Sequence, residues 1–201
     1  MATYIAAIVE TGGREDFWDI ARRHNVEPLA GANVPTRALI TCGTTSDFES
    51  SLRLAEALAR ELDTTSVGFY AQTSSDCYEV RAFERGQNTR RLAYARDQGG
   101  WLHVEGTTQA WEACLFFDDK ASTDASSDRW PDTIYDELSD ETIARYEAAK
   151  AAGDPASVMD FLHPSIGAIR RMCAFFGVDA DTPTAHLRKP SLWSRWFARS
   201  T

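Results

Sequence analysis

Short apolar runs closed by glycine alternate, in the first third of the chain, with longer stripes of apolar residues spaced three and four apart. "TYIAAIVE" (Thr3 to Glu10) is β-branched and apolar and ends at "TGG"; "RALITCG" (37 to 43) is a second such run closed by Gly43. Both predict strands. After the first, Phe17, Ile20, Ala21 and His24 fall at helical spacing, and after the second, Phe48, Leu52, Ala55, Leu58 or Ala59, and Leu62 form a longer stripe. Ser46 with Glu49 three residues on has the spacing of a capping box, which would start the second helix at the serine hydroxyl. "IVETGGREDF" and "LITCGTTSDF" share the order strand, turn, acid, Phe at an offset of 31 residues (Phe17 to Phe48). Two βα units of equal length explain this likeness, and common turn chemistry produces it without duplication.

From Ser66 the apolar period shortens to two and the helical stripes stop. "SVGFYAQ" leads through "TSS" into "DCYEVRAFE", where Tyr78, Val80 and Ala82 take one face while Glu79 and Arg81 take mostly the other. "RGQN" turns into "TRRLAYA", and "RDQGG" turns into "WLHVEG". This is an antiparallel meander, and "WEACLFF" (Trp111 to Phe117) reads as one further strand.

Asp118 to Glu141 carries nine acids against Lys120 and Arg129, with the Ser, Asp and Pro content of an exposed linker. Beyond it, Ser139 or Asp140 caps a helix with Ile143 and Tyr146 on one face, ended by Gly153 and "DP". Val158, Phe161 and Leu162 start another short helix, and Ile166, Ile169, Cys173 and Phe176 form a third stripe closed by Gly177. The expected organisation is a sheet domain over 1–117, an acidic linker over 118–138, a helical extension packed on the sheet over 139–180 and a tail over 181–201. The fold class is α+β: a mainly antiparallel sheet with two N-terminal βα units, a β-meander and C-terminal helices that join the other helices in covering one face.

"ALARELDTTSVGFYAQTSSDCYEV", "RLAYARDQGGWLHVEG" and "WEACLFF" together resemble a group of uncharacterised bacterial α+β proteins that share a helix, a meander and a "GW..VEG....WE...FF" ending. The likeness runs from Leu52 to Phe117, about a third of the chain. Its positions are packing aromatics and turns, so it implies the fold and no activity.

Composition narrows the function classes. In 201 residues, 43% are hydrophobic and 11% aromatic, enough apolar area to offset the entropy of folding. Thirty acids against twenty-one basic residues give a net charge of -9, which disfavours nucleic-acid binding. "MATYIAAIVETGGRED" has no basic region ahead of its short apolar run, so no signal peptide is expected, and no run reaches the ~18 apolar residues that span a bilayer. The expected location is the cytoplasm, with contact at the membrane periphery left open. Cys42, Cys77, Cys114 and Cys173 lie too far apart for zinc-ligand pairs and read as small buried hydrophobes.

Candidate chemistry is sparse. The turns "ETGGRED" and "CGTTSDF" match no phosphate-binding fingerprint and place Glu10, Glu15, Asp16 and Asp47 where a phosphate would sit. His103 and Glu105 alternate on one strand face beside Trp101 and could converge with Asp76 or Glu79, the best acid/base constellation in the chain; an ordinary solvated sheet face explains the same pattern. His24 ends a helical stripe, His163 precedes Pro164 and His186 lies in the tail, so no metal is expected. "QTSSDC" offers hydroxyls and a thiol without a local base, and "DDKASTD" lacks calcium-loop spacing. No cofactor motif is present.

The tail differs from the rest. After Asp181 there is no acid, while Arg188, Lys189, Arg195 and Arg199 accompany Leu192, Trp193, Trp196 and Phe197. On a helix from Ser191 these aromatics fall near one side, a pattern that suits self-docking, a protein partner's groove or a weak grip on anionic lipid. The resulting expectation is a non-enzymatic cytoplasmic binding or adaptor protein, of the immunity or accessory kind, acting through protein–protein contacts. A peripheral membrane protein held by Leu192, Trp193, Arg195, Trp196 and Phe197, and a small enzyme using His103 and Glu105, are the alternatives; a homo-oligomer is compatible with all three.

Overall fold

The computed structural model describes residues 3–24, 33–34, 36–41, 47–72, 76–117, 139–162 and 166–178. The acidic stretch 118–138 and the tail 181–201 fall outside the described residues, as do Cys42, Ser46, His163 and His186.

Strand β1 (Thr3–Glu10) lies inside a seven-stranded sheet. The others are β2 (Asn33–Val34), β3 (Arg37–Thr41), β4 (Thr65–Gln72), β5 (Cys77–Glu84), β6 (Gln87–Ala95) and β7 (Gly100–Gly106), in the order β2-β3-β1-β4-β5-β6-β7. Every pairing is antiparallel. The protein is therefore α+β, with the last four strands in a meander. The β5–β6 hairpin closes through Arg85 and Gly86, both at positive φ (54° and 81°), the backbone that a tight two-residue turn demands.

Helices α1 (Phe17–Arg23) and α2 (Ser50–Glu61) cover one face. There Ala7, Val9, Ala38, Ile40 and Phe83 pack with Phe17, Ile20, Leu54, Ala55 and Leu58. Gly68 brings α2 against β4: a Cβ at this position would stand 2.8 Å from the Ser51 carbonyl oxygen and 2.9 Å from the Leu52 Cα. Two buried hydroxyls stitch the contact, Ser51 Oγ donating to the Phe69 carbonyl at 2.9 Å and Ser66 Oγ to the Ala55 carbonyl at 2.7 Å.

The C-terminal helices cover the opposite face. Ala6, Ile8, Leu39, Val67, Phe69, Val80 and Leu92 pack there with Leu115, Phe116, Tyr146, Ile169 and Met172. These belong to α3 (Ala113–Phe116), α4 (Asp140–Ala152) and α5 (Ile166–Phe175). The C-terminal helices do cover one face, but they do not extend the cover of α1 and α2. The reason is in β1 and β3: "IAAIV" and "ALI" are apolar on both sides, and a strand with two apolar sides needs two layers.

Three local expectations change. "WEACLFF" is not a strand but a 3-10 turn (Ala110–Glu112) running into α3. Gln109 and Glu112 form a capping box there, and Trp111, Leu115 and Phe116 are buried together, a helical spacing. Helix α2 has Glu49, not Ser46, in the capping position. The segment before Phe161 and Leu162 is a 3-10 turn, Pro155–Val158, entered through Asp154, whose carboxylate accepts the Ala156 N–H at 3.1 Å. Elsewhere the expected ends hold: Ser139 caps α4 by accepting from the Thr142 N–H, and Gly153 ends it in the left-handed conformation.

Candidate functional site

Beyond the edge of α2, the face of β5, β6 and β7 that opposes the C-terminal helices carries polar residues in two rows. The register aligns Tyr70, Glu79, Ala93 and His103 across β4 to β7, and beside them Gly68, Arg81, Arg91 and Glu105. Alternation along each strand makes this face, with side chains two residues apart sharing it.

Glu79 is the hub. Its Oε1 accepts from Arg81 Nε at 2.6 Å and Arg91 Nε at 2.8 Å, and Tyr70 donates its hydroxyl to Oε2 at 3.3 Å. The carboxylate is buried, whereas both arginines are partly exposed. Burial pushes the Glu79 carboxyl upward, but the hydrogen bonds from Arg81 and Arg91, with their charges, outweigh it and leave it below the usual carboxylate range. Burial first, and then the Glu79 charge, push the Tyr70 phenol up to about 12. At neutral pH the hub is a carboxylate, two guanidiniums and a neutral phenol.

Each guanidinium spends only its Nε on Glu79. Among the described residues, the terminal nitrogens of Arg81 and Arg91 donate to no acceptor, so two planar donor forks stand side by side on the sheet. Such forks match carboxylate oxygens in pairs. One carboxylate against two guanidiniums leaves the trio with a charge of +1, which the carboxylate of Glu105, opposite Arg91 on the same face, offsets.

His103 and Glu105 share this face, Nδ1 of the imidazole lying 2.7 Å from Oε1 of Glu105. The convergence expected with Asp76 or Glu79 does not form. Asp76 is engaged by Arg96 Nη1 at 2.9 Å, and Glu79 is separated from His103 by the whole of β6. Nor does Trp101 lie beside His103. The register shifts between Trp101 and His103, so Trp101 pairs with Tyr94 on the opposite face and donates its indole N–H to the Met159 carbonyl at 2.8 Å.

Among the described residues, no group of three or more His, Cys, Asp or Glu could hold a metal ion, and no helix is long and apolar enough to cross a membrane. Leu192, Trp193, Arg195, Trp196 and Phe197 lie outside the described residues. Compared with protein-family models, with curated proteins and with solved structures, the chain finds no match in any of the three.

Proposed function

We propose that the protein is a non-enzymatic binding or adaptor protein and that it takes hold of a carboxylate-bearing protein partner through Arg81 and Arg91. The observation that carries this reading is the pair of half-used guanidiniums: each is fixed by its Nε on Glu79, so its terminal nitrogens are oriented without a further loss of side-chain freedom. An Asp or Glu side chain, or a chain-terminal carboxylate, would meet two forks that Glu79 already holds in place. Glu105 faces Arg91 in the register and shares this side of the sheet, so what recommends the site is the donor geometry of the two guanidiniums and not a net positive charge.

His103 and Glu105 border the forks and are paired with each other, Nδ1 to Oε1, at 2.7 Å. A hydrolytic or acid/base role for them has less support, because neither Asp76 nor Glu79 is placed to complete the pair. Calorimetric titration with a peptide rich in Asp and Glu tests the reading. Binding that disappears in the Arg81→Gln/Arg91→Gln variant supports it; binding that persists unchanged in that variant, or its absence in the wild type, contradicts it. Titration with anionic vesicles in parallel distinguishes a lipid phosphate from a protein carboxylate.

A further inference from the structure

The meander stops at an open edge. Among the described residues β7 pairs with β6 alone, and its Leu102 and Val104 side chains are 42% and 47% exposed. An uncovered strand that presents backbone donors, acceptors and apolar side chains is a template for another strand. At the other end of the sheet, among the described residues, β2 spans Asn33–Val34.

The ladder fixes which backbone groups of β7 are free. Thr107 N–H bonds to the Thr89 carbonyl at 3.2 Å across the Arg90–Gly106 pair, which makes that pair non-hydrogen-bonded. Alternation then makes Arg91–Glu105 a bonded pair and Leu92–Val104 a non-bonded one. The N–H and C=O of Val104 consequently point away from β6, off the sheet.

We propose that β7 pairs antiparallel with β7 of a second copy of this chain, about a two-fold axis through Val104. A two-fold perpendicular to the sheet keeps each face on its own side and must pass through a residue. Centred on His103 it sets imidazole against imidazole, and centred on Glu105 it sets carboxylate against carboxylate. Centred on Val104 it sets His103 of each copy against Glu105 of the other, twice, on the polar face. It also matches the free backbone groups, because Val104 facing Val104 is then a hydrogen-bonded pair exchanging two N–H to C=O bonds. The two valine side chains meet on the other face. At one register the strand is self-complementary, imidazole against carboxylate and free backbone group against free backbone group, which selects a second copy as its occupant.

The consequence is one continuous sheet carrying two Arg81–Arg91 pairs on the same face, although the edge pairing does not depend on what those arginines bind. Sedimentation equilibrium on the full chain over a dilution series tests it. A reversible monomer–dimer equilibrium is expected. Glu105→Lys and His103→Glu, made singly at exposed or half-exposed positions, each weaken the dimer by about 2- to 30-fold, and the double variant H103E/E105K restores it because opposite charges then face one another. A wild type that stays monomeric at every concentration overturns the proposal. So does a dimer indifferent to all three variants, or a double variant no better than the singles. Hydrogen exchange at the Val104 amide adds a second reading: protection that grows with protein concentration supports the pairing, and protection independent of concentration assigns the edge to a segment of the same chain and overturns it.

Discussion

Arg90 and Glu112 form a two-pronged ion pair inside the protein. Arg90 Nε and Nη2 donate to the two carboxylate oxygens at 2.9 and 2.7 Å, and the side chains are 4% and 0% exposed. The other Arg90 nitrogen reaches the Glu105 and Gly106 carbonyls at 3.3 and 3.0 Å, and Glu112 Oε1 also accepts the Gln109 N–H at 2.6 Å. Buried charges persist only when their hydrogen bonds are met in this way, and here they tie the end of β7 to the turn before α3.

Removing one partner strands the other. Arg90→Leu and Glu112→Leu are each expected to lower stability by about 3–5 kcal/mol, and R90L/E112L by much less than the sum of the two single changes. Chemical denaturation of the three variants measures both, and additive losses would mean that the pair is not coupled.

The same arginine shows what the sequence conceals. Strands β1 and β3 to β7, the tight Arg85–Gly86 turn and the alternation of Tyr78, Val80 and Ala82 against Glu79 and Arg81 are legible, because period and turn chemistry are local, whereas the two residues of β2 carry no such period. The partners of Arg90 and Arg91 are not. A register shift opposite Ala82 and Phe83 sets Arg91 across from Arg81 and turns Arg90 to the other face, toward Glu112. Without that irregularity the two arginines would exchange faces, and nothing in "TRRLAYA" announces it. A second shift, at Leu102, parts Trp101 from His103 in the same way. The helical course of "WEACLFF" is likewise set by the Gln109–Glu112 cap and by burial against the sheet, which override the β-like look of its aromatics.

Gly68 is predicted to resist substitution. Gly68→Ala drives a methyl group into α2 backbone atoms at 2.8–2.9 Å and is expected to destabilise by about 1–3 kcal/mol. Ser66→Ala, which removes the 2.7 Å bond to the Ala55 carbonyl, is expected to cost about 1 kcal/mol. Thermal or denaturant unfolding orders the two, with Gly68→Ala the larger.

Tyr70 should titrate late. An exposed phenol ionises near 10, whereas burial and the Glu79 charge raise this one to about 12. Its folded value lies above its unfolded value, so its contribution to stability is complete below pH ~10 and is lost as pH rises through about 12. The difference in ultraviolet titration between wild type and Tyr70→Phe isolates this group; a phenolate signal near pH ~10 would contradict the burial of this hydroxyl beside the Glu79 charge.

Glu79 works in the opposite direction. Its folded value is depressed, because the hydrogen bonds from Arg81 and Arg91 outweigh the upward push of burial. The stability it confers is present above the ordinary carboxyl value of ~4.3 and declines as pH falls through the lower folded value. Glu79→Gln is expected to destabilise at neutral pH and to flatten the acid limb of the stability curve, read from denaturant midpoints across that range. An acid limb identical in the two proteins would remove Glu79 from its position as the hub.

The central claim, that Arg81 and Arg91 hold out their terminal nitrogens to a partner's carboxylate, is tested most directly by nitrogen-15 NMR of the arginine side chains. The Nε–H protons of both residues lie on Glu79 and should give slowly exchanging signals in the free protein. Addition of a peptide rich in Asp and Glu is predicted to shift these two signals together, to slow rotation about the bonds to their terminal nitrogens, and to leave the Arg90 signal in its buried pair with Glu112 unmoved. Shifts confined to other arginines, or none at saturating peptide, would contradict the account.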